Sequence, residues 1–214
     1  KSEAEKKGMI HEIVKNVDSR HLYCASASDF KKIPSSPIAY WLTTEGVNAF
    51  LSKKLYDLGK TRRGLQTGEK DKFIRQWFEC SLAKSEFNYL PRNDAIDSNK
   101  KWMMFNNGGD SRRWYGNLDL LVNWEGNGRD IKSFAGSIIP SEELYFENAI
   151  CWPRLTSGDI SFRIHPKGLI PGDLSPCYYT KNIFVALGVL NSKCTNYFLK
   201  AINPTVKTLE EPLI

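Results

Sequence analysis

The 214 residues, 41% apolar and 25% charged, suit one generous folded domain or one domain with a short appendage. No apolar run approaches the ~18 residues that cross a bilayer, and the charged start Lys1–Lys7 lacks the apolar centre of a signal peptide, so membrane partners are excluded and a cytoplasmic protein is expected. The net charge of +6 is modest, so its distribution says more than its size.

Taken in chain order, Glu3–Val17 places Met9, Ile10, Ile13, Val14 and Val17 at helical spacing and reads as an amphipathic helix. The chain begins with Lys1 instead of Met, which suggests a piece of a longer protein whose preceding part this helix contacts. Ile33–Pro37, with two prolines and two serines, is a turn. Thr44 is placed to cap a helix with Val47, Phe50 and Leu51 on its buried stripe, and with Lys53 and Lys54 in a last turn that favours cations. From Tyr56 the texture changes to short extended stretches. Phe73–Cys80, Lys101–Phe105, Leu118–Trp124 and Ile150–Leu155 are expected strands, and Asn127-Gly128 is a turn. A turn at Ser157-Gly158-Asp159 leads into the apolar/polar alternation of Ile160–His165. Lys181–Leu190 reads as an apolar helix. Asn191-Ser192 ends it and caps a second helix reaching Ile202, with Cys194, Tyr197, Phe198 and Ala201 on one face. The expected class is α+β, a mixed β-sheet domain with an N-terminal helix and a C-terminal helical pair. Residues 1–55 form a helical connector, 56–180 the α+β domain, and 181–214 helices that pack on it.

Enzyme signatures fare poorly. Gly64-Leu65-Gln66-Thr67-Gly68-Glu69-Lys70 imitates a phosphate-binding loop, but its glycines are three residues apart instead of four. Glu69 intervenes before the lysine, and Asp71 stands where a hydroxyl is required. His11, His21 and His165 have no ligand partner at zinc spacing. The five cysteines, Cys24, Cys80, Cys151, Cys177 and Cys194, are odd in number and far apart, as reduced thiols are. No Gly-x-Ser-x-Gly elbow exists. Asp130-Ile131-Lys132, with Asp110 or Asp119, leaves a metal-dependent nuclease as an alternative. Methyl transfer to a base amine needs an Asn/Asp-Pro-Pro-aromatic stretch and a Gly-rich donor loop. Asn203-Pro204-Thr205-Val206 lacks the second proline and the aromatic. Neither a catalytic residue nor a metal ligand is expected in this chain.

Charge and aromatic residues point elsewhere. Eight basic residues stand against three acidic between Lys53 and Arg75, and six against two between Arg154 and Lys200; from Trp114 to Pro153 the sign reverses, two against six. Such segregation suits a cationic face toward a polyanion. Arginine and aromatic residues interleave at Arg75-Gln76-Trp77-Phe78, Arg112-Arg113-Trp114-Tyr115, Trp152-Pro153-Arg154 and Phe162-Arg163. Lys and Arg neutralise phosphates, while Arg and Gln pair with base edges. Most of the six tryptophans belong to the core, with one or two left for a DNA surface.

Ile33-Pro34-Ser35-Ser36-Pro37-Ile38-Ala39-Tyr40-Trp41 resembles the passage after the methyltransferase core in PglX-type adenine methyltransferases of bacteriophage-exclusion (BREX) systems. Gly64–Gly68 with Phe73-Ile74-Arg75 is similar to the opening of their target-recognition domain. Lys101-Trp102, Asn107-Gly108-Gly109, Arg112–Asn117, Asn123-Trp124-Glu125, Leu190–Lys193, Tyr197-Phe198-Leu199 and Asn203-Pro204-Thr205 continue the likeness, from about Phe30 to Thr205. Lys207–Ile214 departs from the pattern. The resemblance implies a double-stranded DNA recognition module of a single-chain adenine methyltransferase in phage defence. S-adenosylmethionine and the catalytic loop would belong to an upstream methyltransferase domain of the same chain, with no cofactor in this segment.

On that reading Gly64 and Gly68 bring the backbone close to the duplex, and Gln66 and Thr67 read a base edge. Arg62, Arg63, Lys70 and Lys72 position phosphates. Arg75, Arg112 and Arg113 serve either job, and Lys101, Tyr115 and Arg154 complete the set. The rivals are a nuclease using Asp119, Asp130 and Lys132, and a docking module whose Arg/Trp patches meet an acidic partner, such as another defence-complex subunit or a DNA-mimicking phage protein.

Overall fold

The computed structural model describes residues 2–15, 22–156 and 159–202. The expectations on Lys1, Val17, His21, Ser157-Gly158, Asn203–Val206 and Lys207–Ile214 lie outside the described residues. The chain forms two units, Lys1–Lys53 and Lys54–Ile214.

In the first unit, helix α1 (Glu3–Lys15) buries no side chain, and Ile10 and Val14 of its apolar stripe are exposed. Helix α2 (Ala27–Phe30) is capped by Ser26, whose hydroxyl accepts from the Ser28 amide at 3.3 Å. The Ile33–Pro37 turn is present: the Ser36 amide donates to the Ile33 carbonyl at 2.9 Å, and Ser35 and Ser36 adopt left-handed φ. Helix α3 (Thr44–Ala49) is capped by Thr43 instead of Thr44, its hydroxyl accepting from the Gly46 amide at 3.1 Å. It also ends before Phe50. There the Phe50 and Leu51 amides bond to carbonyls three residues back, a tightening that closes helices, so Leu51 is exposed and Lys53 and Lys54 lie beyond the helix.

The second unit runs β1 (Gly59–Arg62), α4 (Lys70–Phe73), β2 (Ile74–Gln76), β3 (Ser85–Glu86), α5 (Arg92–Asp97), β4 (Trp102–Asn106), β5 (Leu120–Asn123), α6 (Glu125–Lys132), β6 (Ala149–Cys151), β7 (Arg163–His165), β8 (Ile170–Pro171), β9 (Cys177–Thr180), α7 (Ile183–Leu190) and α8 (Lys193–Ile202). One sheet has the order β2-β5-β4-β3. Strand β4 is its centre, with β5 antiparallel on one edge and the short β3 and β8 sharing the other edge, both parallel to it. The second sheet is antiparallel throughout, in the order β1-β9-β6-β7. With the N-terminal and C-terminal helices this is the α+β class expected from the sequence.

Local chemistry explains where the elements depart from expectation. Phe73 closes a helical turn, and β2 stops at Gln76 because the Glu79 carboxylate takes the Gln76 amide at 2.6 Å and opens a tight turn. Strand β6 ends before Pro153, which has no amide to donate. Gly126, Asn127 and Gly128 are consecutively left-handed inside α6, so the Asn-Gly turn signal is right within an element that is helical only after it. Ile160–His165 is not a half-exposed alternation, since all of it but Ile164 is buried. The Asn191 side chain pairs with both the amide and the carbonyl of Phe162, and α7 covers the same strand's apolar side. Ser192 caps α8 by accepting from the Thr195 amide at 3.1 Å. The face that α8 buries carries Thr195, Asn196, Leu199 and Ala201; Cys194 and Tyr197 are exposed.

Two of its apolar clusters are the largest among the described residues. Met103, Phe105, Val122 and Ile74, from one face of the first sheet, pack with Trp124, Ile131, Tyr145 and Phe146. Ile150 and Tyr178 of the second sheet pack with Trp152, Phe162 and the inner faces of α7 and α8. Trp124 and Trp152 are fully buried, whereas Trp77 and Trp114 are exposed.

Candidate nucleic-acid interface

The two sheets meet at a buried polar hub. Asn106, at the end of β4, is wholly buried and uses all four of its hydrogen-bonding positions. Its amide donates to Cys151 Sγ at 3.1 Å and to His165 Nδ1 at 3.2 Å. Its carbonyl accepts from the Ser175 hydroxyl at 3.1 Å and from Arg163 Nη2 at 3.5 Å. Since Asn106 donates to Nδ1, the His165 proton sits on Nε2, which donates to the Leu169 carbonyl at 3.3 Å. Burial depresses the His165 pKa to about 4, the neighbouring Arg163 charge adding to the effect. Burial likewise pushes the Cys151 and Cys177 thiols up, so both are inert neutral groups. Arg163 donates to the Gly108 carbonyl at 2.7 Å, while its Nε and Nη1 find no hydrogen-bond partner among the described residues. The Phe162-Arg163 pair therefore belongs to the interior, not to a surface.

This hub supports four loops. Asn107 Oδ1 accepts from the Leu174 amide at 3.4 Å, and the Gly172 amide donates to the Asn106 carbonyl at 2.7 Å. The Leu65 amide bonds Pro171 and the Asp173 amide bonds Leu65, at 2.7 and 3.0 Å. The Arg154 amide bonds the Leu174 carbonyl at 3.0 Å. Trp114 is pinned to β7 from both sides, its amide to Phe162 and its carbonyl to the Ile164 amide, each at 2.9 Å. Residues 171–175 thus tie together the loops that carry Arg62 and Arg63, Arg112 and Arg113, and Arg154.

The expected site residues divide accordingly. Arg62, the last residue of β1, and Arg63 just after it are exposed; Arg63 donates to Gln66 Oε1 at 2.7 Å and lies 3.6 Å from Asp173. Arg154 approaches the same carboxylate at 3.7 Å. Arg112, Arg113 and Tyr115 are exposed on the 107–117 loop, and among the described residues Arg112 and Arg113 enter no ion pair. The Tyr115 hydroxyl lies 3.3 Å from that of Tyr89, and this bond pushes Tyr89 up to about 12. Lys70 is exposed in α4, and Lys72 lies over the Phe73 and Phe134 rings. Arg75 and Lys101 flank the Trp102 ring at 5.8 and 5.6 Å. Trp102 stands at the opposite end of β4 from Asn106, roughly 13 Å away along the strand, so this second cationic group is separate from the loop rim. Arg75 is further engaged by the carbonyls of Asp71 and Ile74, and Lys101 faces Glu125 at 3.9 Å.

The glycine segment packs closely against the protein's own backbone. A Cβ on Gly64 would lie 2.3 Å from the Pro171 carbonyl oxygen, and one on the left-handed Gly68 would lie 2.5 Å from Gly136. Both glycines admit the protein's own backbone. Gln66 exchanges amide and carbonyl bonds with Ile138, and Thr67 is buried, so Gly64 and Thr67 have no free edge to offer a base. Sequence reasoning missed Asp173, the carboxylate shared by two arginines, and Ser111 and Thr156, which line a cavity described below; only folding brings these together. Among the described residues no three of His, Cys, Asp and Glu stand as metal ligands would. Lys132 is paired with Glu142 at 2.8 Å, where the bonds from Lys132 and Arg92 outweigh the burial that raises the carboxyl, and hold it below its usual range.

Fold and site together define an α+β segment whose connecting loops form an arginine-rich rim. No family model matches the chain. Over 205 residues, 90% of its length, it is 30% identical to the adenine-specific methyltransferase PglX of Lacticaseibacillus casei (strain Zhang). Over 186 residues, 84% of its length, it is 34% identical to the adenine-specific methyltransferase BrxX of Escherichia coli O9:H4 (strain HS). By these matches the chain belongs with the PglX-type adenine-specific methyltransferases. It spans 17% and 15% of the length of those two relatives.

Proposed function

We propose that this segment recognises double-stranded DNA on behalf of a PglX-type adenine-specific methyltransferase acting in phage defence in the cytoplasm. The observation that carries the reading is the tethering of the segments that bear Arg62 and Arg63, Arg112 and Arg113, and Arg154 to one span, residues 171–175, through Leu65, Asn107 and the Arg154 amide, with Trp114 and Tyr115 exposed. Guanidinium groups on rigid loops supply the phosphate neutralisation that dominates affinity for DNA. An exposed aromatic beside them offers a stacking face.

Within this reading Arg62 and Arg112, both exposed, hold phosphates, and Gln66 with Arg113 and Arg154 meet the bases. Lys70, Lys72, Arg75 and Lys101 form a second cationic patch that follows the backbone further along. S-adenosylmethionine would be held outside this segment, because the glycine turns here do not fit it. Gly64, Gly68, Gly108 and Gly128 each close on the chain's own atoms, which supports this reading.

The test is DNA affinity of the methyltransferase that carries this segment, measured across salt concentrations with Arg62→Gln and Arg112→Gln. Each substitution is expected to weaken binding to every duplex alike and to flatten the logarithmic salt slope by about 0.9. Unchanged affinity and slope in the double variant would refute recognition by this rim.

A further inference from the structure

Beside Arg113 lies a cavity of about 380 Å³ lined by Gly109, Asp110, Ser111, Arg113, Pro153, Leu155, Thr156 and Asp159. Its size falls within the ~300–1,000 Å³ of small-ligand sites. Its chemistry differs from that of the surrounding rim. Arg62, Arg63, Arg112 and Arg154 offer donors only, whereas the cavity sets two carboxylates and two hydroxyls against one guanidinium. Asp159 is ionised: Lys200 donates to its Oδ1 at 2.8 Å, and this bond, with the charges of Lys200 and Arg113, holds the carboxyl below its usual range.

A phosphate would be repelled by Asp110 and Asp159. The edge of a base pair would not. In the major groove a carboxylate accepts from the cytosine amine, and a guanidinium donates to O6 and N7 of guanine. Both kinds of group line one cavity. We propose that this cavity is the reader of a single C·G base pair, with Arg113 on the guanine and Asp159 or Asp110 on the cytosine amine.

The part of the lining that carries Asp110 and Arg113 is held for such a task. The 107–117 loop is fixed by the two Trp114 backbone bonds to β7 and by Arg163 on the Gly108 carbonyl. Asn117 takes the Gly108 and Asp110 carbonyls at 3.2 and 2.8 Å. Readout needs groups whose positions are set before the ligand arrives. The proposal rests on the DNA-recognition reading and names the part of that face that discriminates, as opposed to the part that only binds.

The experiment uses the full methyltransferase and a set of duplexes that differ from its cognate site by one base pair at a time. Methylation rates are compared for Arg113→Gln, Asp159→Asn, Asp110→Asn and the rim variant Arg62→Gln. Arg113→Gln and at least one aspartate variant are expected to lose roughly tenfold or more in preference at the same base pair, with preference elsewhere retained. Arg62→Gln is expected to slow all duplexes alike. If Arg113→Gln slows all duplexes alike and the aspartate variants bind every duplex more tightly, the cavity is a phosphate margin; the proposal falls while the DNA-recognition reading stands. If neither the cavity variants nor Arg62→Gln alters DNA binding, both fall.

Discussion

Arg163 and Arg113 stand beside each other across one backbone pairing, Trp114 with Arg163, yet they live in opposite environments. Arg163 is wholly buried, its Nη2 bonded to the Gly108 carbonyl and to Asn106. Arg113 is exposed and without an ion pair among the described residues. The sequence dresses both alike, as an arginine next to an aromatic. A buried charge costs free energy unless its partners are fixed, so the hub is rigid by necessity. An exposed one is hydrated at little cost and stays available to a ligand. The hub sets the geometry, and the rim does the contacting.

The sharpest way to break this division is Asn106→Leu. It would strand the Ser175 hydroxyl and the His165 ring and deprive Arg163 of an acceptor. A loss of about 4 kcal/mol in unfolding free energy is expected, read by urea denaturation, whereas Arg113→Gln should stay within about 0.5 kcal/mol of the parent chain. Comparable losses for the two would abolish the distinction.

A somewhat smaller effect comes with pH. Folded His165 titrates near 4, against 6.5 in the unfolded chain. Above about 6.5 neither state holds the proton and the contribution is complete. As pH falls, the unfolded state takes the proton first, so stability declines between 6.5 and 4 by about 3 kcal/mol. A His165→Gln variant should lose this dependence, less stable overall but flatter across that window. An unaltered slope in the variant would assign the pH sensitivity to other groups.

What the sequence disclosed follows from how local each signal was. Strands β4 and β5 and helix α7 were legible because their apolar residues run continuously, and α8 because Asn191-Ser192 marks its start. Strands β3 and β8 were not, since two residues carry no periodicity and pair only because β4 offers an open edge. The exposed arginines of the 107–117 loop were legible as a cluster. That Asp173 sits between Arg63 and Arg154, or that Asp110 and Asp159 face one cavity, is a property of contacts between distant segments. No spacing rule encodes it. The burial of Arg163 was equally hidden, because its covering groups come from Gly108 and Asn106.

Gly64 sharpens the comparison at the smallest scale, because composition alone would place it on the rim. The segment is glycine-rich, flanked by arginines, and reads as a loop that yields to a ligand. In the fold Gly64 touches Pro171 and Gly172, the same span that ties the rim loops to the hub. A methyl group there would meet backbone oxygen at 2.3 Å, closer than two such atoms approach, and backbone cannot turn away as a side chain could. Gly64→Ala should therefore cost about 2 kcal/mol in urea unfolding while leaving the exposed arginines chemically intact. If the glycine served only approach to a duplex, the same substitution would leave stability unchanged and weaken DNA binding alone. The two measurements on one variant decide whether this residue belongs to the interior or to the interface.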